Sequence, residues 1–407
     1  MVIVLYNNEK LTPYIFYSKF LKDVARHIKE FDDINFKLFE NGDDYLYDSN
    51  YNIEPITIPL LLSLMEQLSK YYNKSITLYL YNNIATNKVL NFLFKSDFFY
   101  VAGNNTNPTY PYGRKIIKFN EAYLGDFKGK KHRPEHKVRC YSLEDNNISK
   151  ELETFNTEDE QRDYLISKYI YIVREQFQNL LYDNENTTDN SELYIEILSE
   201  LITNGVLHSK SNTFALMFVN KFATKFSISD NGIGLTESLK NKTSDYLYNP
   251  LELKNALDNI KTININDKIL ENLNYIIEAL YFSSLKDRKG LFDLMLSVVL
   301  ESNGYFRLHS ENSQIIISSR MANNLTELSD LRTKLFKIHR EILINGEKQN
   351  NREDMIIIKS NIKQEFINLY KNICEKYNQD HRYSSLRFFS VKLRGVHIEV
   401  EIPNSKL

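Results

Sequence analysis

Glu200-Leu-Ile-Thr-Asn204-Gly-Val-Leu-His208 and, further on, Ser229-Asp230-Asn231-Gly232-Ile233-Gly234 decide the reading of this chain. The first stretch lies in a helix expected over 192–207, where Ile195, Leu198 and Ile202 recur at core spacing. Glu200, Asn204 and His208 are spaced one helical turn apart and project together from another face. A carboxylate and an amide so placed suit a phosphate: the amide oxygen can ligate Mg²⁺, and the carboxylate can orient or deprotonate an attacking hydroxyl or water. The same spacing also describes a solvated polar stripe on an amphipathic helix. The second stretch ends a strand in a carboxylate followed by two residues free to adopt positive φ. A buried Asp there can accept a hydrogen bond from an exocyclic amine, which distinguishes adenine from guanine. Taken alone, it is equally a tight turn closed by an Asx hydrogen bond. Between the two, Thr213 to Val219 and Phe222 to Ser229 read as strands. Their joint, Asn220-Lys221, is short enough to demand an antiparallel hairpin.

In this order and separation the residues resemble the GHKL superfamily of ATPases and kinases. That group includes gyrase B, the ninety-kilodalton heat-shock chaperones, MutL, sensor histidine kinases and anti-sigma-factor kinases. Glu200 and Asn204 match its N-box, and Asp230, Gly232 and Gly234 match its first glycine box. The resemblance implies ATP as ligand, Mg²⁺ on Asn204, the adenine amine on Asp230 and Glu200 as general base. A second glycine box is matched by Lys286-Asp-Arg288-Lys289-Gly290-Leu291, opening a helix expected over 291–300. Backbone amides at such a helix start, with Arg288 and Lys289 beside Gly290, suit a triphosphate. His208 is open to two readings, next to phosphate or simply packed. The likeness covers roughly 155–320, and Leu393-Arg-Gly395-Val-His-Ile-Glu-Val-Glu-Ile-Pro403 looks like the closing strand of such a domain. This chain departs from the family in keeping one glycine in the second box. It also has Gly205 where a small Ala or Ser is usual.

The fold expectation is therefore α/β (α+β): a Bergerat-type mixed-sheet α/β sandwich over 155–407. It would carry a lid at about 235–288 holding two helical patterns, and a mainly helical insertion at about 321–388. Tyr305 to His309 and Gln314 to Ser318 read as two strands. Residues 1–110 alternate strand and helix signals, among them Asn35 to Phe39, Pro59 to Tyr72, Ser75 to Tyr81 and Asn87 to Phe94. That part weakly resembles STAS-like domains, small α/β modules that occur with GHKL kinases. Residues 111–154 read as an irregular basic linker.

Composition narrows the classes. Lys+Arg at 51 against Asp+Glu at 53 gives a net charge of −2, which exerts no global pull on nucleic acid or anionic lipid. A polyanion partner has only the cluster between Lys128 and Arg139 behind it, and a solvated linker explains that cluster as well. His132-Arg-Pro-Glu135-His136 matches a zinc-protease string, but Pro134 breaks the helix that both histidines would need. Cys140 and Cys374 are the only cysteines, too few for a disulfide scaffold or a four-cysteine zinc site. Apolar runs such as Ile58 to Met65 are far short of the ~18 residues that span a bilayer. The first residues lack the basic region of a secretory leader, so a cytoplasmic location is expected. Twelve glycines in 407 residues make each one a positional clue.

On these grounds the expected function is Mg²⁺-dependent ATP binding with hydrolysis, lid closure switching a protein partner or a homodimer. The alternatives are an anti-sigma-type serine/threonine kinase and a catalytically silent nucleotide-gated scaffold. A conventional histidine kinase fits less well, because residues 150–182 contain no His to accept a phosphoryl group.

Overall fold

A computed structural model describes residues 2–5, 10–30, 33–37, 53–82, 84–103, 116–127, 137–143, 146–209, 212–346, 349–381 and 383–404. It contains two sheets of opposite character. The first is parallel, in the order β1 (Val2–Leu5), β2 (Ile34–Lys37), β3 (Ile76–Tyr79) and β4 (Ile117–Lys118). Helices α1 (Leu21–Glu30), α2 (Ile58–Tyr72) and α3 (Ile84–Lys95) lie between these strands in sequence, as parallel connections require.

The second sheet comprises β5 (Val138–Tyr141), β6 (Thr213–Val219), β7 (Ala223–Asp230), β8 (Tyr305–Ile317) and β9 (Leu386–Pro403). Its spatial order is β5-β6-β7-β9-β8 and every pairing is antiparallel. The sheet expected to be mixed over 155–407 is thus wholly antiparallel among the described residues, and the parallel sheet belongs to the separate N-terminal layer. The β6–β7 hairpin forms as its short joint requires, with Asn220 Oδ1 accepting from the amides of Phe222 (2.8 Å) and Ala223 (3.0 Å).

Both faces of the antiparallel sheet are buried, which is why β6 reads Thr-Phe-Ala-Leu-Met-Phe-Val without polar alternation. Ala215 and Met217 face a core built with α4 (Glu158–Tyr182) and α5 (Ser191–Ser209). Phe214 and Leu216 face the opposite core, built with α2 and its neighbours. Helix α4 starts in a capping box, Thr157 Oγ1 accepting from Glu160 N while the Glu160 carboxylate accepts from Thr157 N.

Helix α2 is buried along most of its length, including Ser63 and Glu66, because both sheets pack on it. Its polar groups are answered from the antiparallel side. Ser63 Oγ lies 2.7 Å from Ser229 Oγ, and Glu66 accepts from Asn212 Nδ2 and Asn231 Nδ2, each at 2.6 Å. The two layers therefore share one interior.

Several expectations need correction. The stretch 111–154 is not an irregular linker: it supplies β4 to one sheet, β5 to the other and a helix at Asn146–Leu152. Most of the basic cluster and the whole His132–His136 string lie outside the described residues. Tyr305 to Ile317 is one strand with irregular register around Glu311, whose φ is 59°, not two strands with a turn. The lid segment holds three helices, α6 (Gly234–Lys240), α7 (Glu252–Asp258) and α8 (Asp267–Ser284). After the short helix α9 (Leu291–Leu296) and β8, the expected insertion is a helical hairpin, α10 (Ala322–Asn345) and α11 (Gln349–Gln379). Its Leu325, Leu328, Ile362 and Phe366 join the main core. No described helix is long and apolar enough to cross a membrane.

Removal of the Glu66 carboxylate leaves two buried amide groups without their acceptor. Glu66→Ala is expected to lower stability by roughly 2–4 kcal/mol, read as an earlier urea midpoint. A midpoint unchanged from wild type would show that these bonds do not hold the layers together.

Candidate active site

Helix α5 places two of the expected residues. Ile195, Leu198 and Ile202 are buried in the core, which turns Glu200 and Asn204 toward a cleft between α5, the end of β7 and the segment joining α8 to α9. Gly205 lets this helix sit against β6: a Cβ there would lie 2.6 Å from Thr213 Oγ1. Even Ala would force a shift, so Gly205 is a packing requirement and not the mild change its type suggests. Residue 208 continues the helix, while the side chain of His208 lies outside the described residues.

Arg162, in the first turns of α4, reaches both residues. Its Nη2 is 2.6 Å from Glu200 Oε1, and its Nε donates to Asn204 Oδ1 at 3.3 Å. Arg288 approaches the same carboxylate, Nε to Oε1 at 3.5 Å. Burial raises the Glu200 carboxyl above its usual range, and the two arginines oppose that rise without cancelling it. The result is a carboxylate more basic than an exposed one, at the floor of a cleft.

Asp230 ends β7. Its Oδ1 accepts from the amides of Gly232 (2.8 Å) and Val396 (3.3 Å), so the Asx turn and the cleft-lining role belong to one residue. Both bonds fall on Oδ1, which leaves Oδ2 to meet a donor in the cleft. Burial pushes the Asp230 carboxyl up to about 7. Gly234 has φ +77°. Gly395, on the neighbouring strand, has φ +101°, and a Cβ there would lie 1.9 Å from the Asp230 carbonyl oxygen. The loop is also held from behind. Gln67 Nε2 donates to Asn231 Oδ1 (2.8 Å) and to the Arg394 carbonyl (3.1 Å), and Arg394 Nε donates to the Gly232 carbonyl (3.0 Å).

The third segment runs from Ser284 to Gly290. Gly290 faces Glu200: a Cβ there would lie 3.5 Å from Glu200 Oε1 and 3.1 Å from Ser283 Oγ. The expected helix over 291–300 is α-helical for six residues, Leu291–Leu296, and continues as a π-turn, Ser297–Glu301. One amide of its first turn is already engaged, because Phe292 N donates to Ser283 Oγ (3.0 Å). Lys242, Lys286, Arg288 and Lys289 line the same cleft. Lys286 is paired with Asp245, whereas half-buried Lys242 has no carboxylate within ion-pair distance among the described residues. Its ammonium lies 5.5 Å from the Phe282 ring centroid, and burial lowers its pKa. The cleft encloses about 1010 Å³, open solvent at its mouth included.

The structure thus brings Glu200, Asn204, Asp230, Gly232, Gly234, Arg288, Lys289 and Gly290 to one cleft. Apolar Ile228 and Ile398, paired across β7 and β9, line the cleft beside Asp230, Leu201 lines it too, and Arg288 and Lys289 stand beside Gly290. A flat base with a donor edge fits the first and a polyanion the second. Sequence reasoning missed Arg162, Lys242 and Gly395. For Arg162 a signal existed: it heads the stripe Leu165, Tyr169, Val173 and Phe177, all buried, so a charge stands in line with the core. For Lys242 there was none.

The raised Asp230 pKa makes stability fall as pH rises. The unfolded chain releases its proton near 3.8, the folded chain near 7; stability is therefore full below about 4 and is lost progressively up to about 7. Asp230→Asn keeps an oxygen for both amides and cannot ionise. Without nucleotide, it is expected to match wild type near pH 4 and to exceed it by roughly 4 kcal/mol at pH 8. Thermal melts across that range check the prediction; parallel curves for the two proteins contradict it.

No protein-family model, curated protein or solved structure matches this chain.

Proposed function

We propose that the cleft binds ATP with Mg²⁺ and that the chain is an ATPase of the GHKL type whose nucleotide state governs partner binding. One observation carries this reading. Three segments far apart in sequence converge so that an acid–amide pair, a backbone-anchored Asp and a cationic glycine loop face one cleft. The alternative readings of each motif, a solvated stripe and an isolated turn, do not call for that convergence.

In this reading Asp230 Oδ2 accepts from the adenine amine, against Leu201 and Ile228. Arg288, Lys289 and Lys242 hold the phosphates. The Mg²⁺ would rest on Asn204 Oδ1 and phosphate oxygens, since the described residues hold no group of three His, Cys, Asp or Glu for a metal. Asn204 Oδ1 fits that role: it is half-buried at the cleft and accepts one long hydrogen bond, leaving a lone pair. The cation supplies charge neutralisation on the transferred phosphoryl group. Glu200 orients a water and takes its proton as the water oxygen bonds to the γ-phosphorus and the bond to the bridging oxygen breaks. Burial, which makes Glu200 more basic, suits it to the task.

The parallel-sheet layer, which the sequence likens to STAS-like modules, is in this reading a regulatory module, for it touches the Asp230 loop through Glu66 and Gln67. The lid closure that the resemblance implies would act mainly on 234–247, since α7 is tied to α11 by Lys363 and Lys359 on Glu252. A protein partner or second copy in the cytoplasm is the expected recipient of the signal. A seryl or threonyl hydroxyl on a partner is the alternative acceptor for the same chemistry.

Calorimetry with ATP and Mg²⁺, with phosphate release scored alongside, tests the reading. Asp230→Asn is expected to weaken ATP binding by at least about tenfold, the loss of a buried charge-assisted hydrogen bond. Glu200→Ala is expected to bind within a few-fold of wild type while losing phosphate release by a factor of roughly 10² or more. Wild type that binds no ATP ends this proposal.

A further inference from the structure

The cation nearest the Glu200–Asn204 pair is already part of the chain. Arg162 is 6% exposed, and its guanidinium spans the pair: Nη2 to Glu200 Oε1 at 2.6 Å, Nε to Asn204 Oδ1 at 3.3 Å. Its only other carboxylate neighbour at ion-pair range among the described residues is Asp163, at 3.9 Å. A buried arginine at the head of an apolar stripe carries a large desolvation cost unless its partners are fixed. Here both partners are the residues proposed to work on the nucleotide. One planar fork reaches both partners at once, Asn204 through a hydrogen bond and Glu200 at ion-pair distance without hydrogen-bond geometry, and an ammonium has no such fork.

We propose that Arg162 is a positioning residue that competes with a divalent cation for the Asn204 oxygen, holding the site ready for nucleotide while weakening metal binding in its absence. The inference rests on the ATP–Mg²⁺ reading of the cleft. An amide oxygen has two lone pairs, but a guanidinium on one and a metal ion on the other place like charges around a single half-buried oxygen. Nucleotide changes the balance, because its phosphates supply the negative charge that lets both cations remain. Arg162 therefore couples the two ligands: the metal enters with the nucleotide rather than before it. Its second effect falls on Glu200. With Oε1 held by Arg162 and approached by Arg288, Oε2 is the oxygen free to take a proton.

The test measures the linkage between metal and ATP in the full chain. ATP affinity is determined by calorimetry with Mg²⁺ and with EDTA, for wild type, Arg162→Gln and Arg162→Lys. The factor by which Mg²⁺ tightens ATP, the dissociation constant in EDTA over that in Mg²⁺, is expected to fall by roughly tenfold in Arg162→Gln, because metal then binds without nucleotide and gains less from it. Arg162→Lys can hold Glu200 but not both partners, and its factor is expected to fall less, in the same direction. It decides the matter if the Gln variant does not fold. A second arm omits nucleotide and uses Mn²⁺ alone as probe: millimolar Mn²⁺ is expected to raise the melting temperature of the variants by a few degrees and to leave wild type unmoved. Unchanged ratios together with unchanged melting overturn the role of Arg162 while leaving ATP binding intact. Wild type that binds no ATP, with variants that gain the Mn²⁺ response, overturns the nucleotide reading and leaves the competition at Asn204 standing.

Discussion

Burial of α2 between two sheets is the constraint from which the rest follows. A helix with apolar residues on all sides is stable only when every side is covered, and Ile58 to Leu68 is covered by the parallel sheet and by β6 and β7. Any polar group carried along such a helix must find its partner inside. Glu66 finds Asn212 and Asn231, and Ser63 finds Ser229. Two of these three partners, Ser229 and Asn231, lie on β7 or in the loop that follows it, so packing of the N-terminal layer and the shape of the Asp230 loop are one problem. Asn231 sits between Asp230, which faces the cleft, and Gly232, whose amide and carbonyl are both engaged. A displacement of α2 cannot leave that loop where it is.

The electrostatics of the cleft are divided in the same manner. At one end a single carboxylate, Asp230, is buried with backbone amides as its only hydrogen-bond donors among the described residues, and its charge is disfavoured. At the other end Glu200 and Asp293 are buried too, yet each has arginine beside it. Burial still raises both carboxyls. The first end suits a neutral ligand edge that donates hydrogen bonds, because such donors stabilise the charge that burial opposes. The second end has more cations than its acids neutralise, with Lys242 and Lys289 left over among the described residues, and that excess suits an anion.

Much of this was legible in sequence, for reasons that differ by element. Strand β6 and its hairpin partner were readable because β-branched and aromatic residues flank a short joint, three residues in the structure, and pairing across so short a joint has one solution. Helix α5 was readable from Ile195, Leu198 and Ile202, and its functional face followed by subtraction. What stayed hidden depends on contacts across long sequence separations. Strand β5 is four residues in a polar, irregular stretch, and only its pairing with β6 makes it a strand. Gly395 belongs to the site because Asp230, 165 positions earlier, leaves no room for a Cβ beside its carbonyl. The lid read as two helical patterns because α7 is short and draws its stability from Glu278, which accepts from Tyr248 Oη and Lys254 N. Local propensity does not encode that kind of support.

The hairpin α10–α11 shows how far the site extends beyond its lining residues. Arg332 of α10 donates to the carbonyls of Ser284, Lys286 and Arg288 at 3.1, 2.9 and 3.3 Å, and to both oxygens of Asp293. Two turns further along, Arg340 makes a two-pronged contact with Asp287, at 3.1 and 2.8 Å. The segment that carries Arg288 and Lys289 is thus fastened by its backbone to one helix. Exposed Arg340 contributes little to that fastening, since an ion pair in solvent is worth at most about 1 kcal/mol. Arg332 is different: its side chain is only 16% exposed, so water competes less for the carbonyls it binds. Movement of the 284–290 segment relative to α10 must break those bonds together, whereas movement with α10 breaks none. The second path spares these bonds but must shift Leu325, Leu328, Leu331, Leu335 and Phe336, which anchor α10 in the main core, so the 284–290 segment is held on both counts.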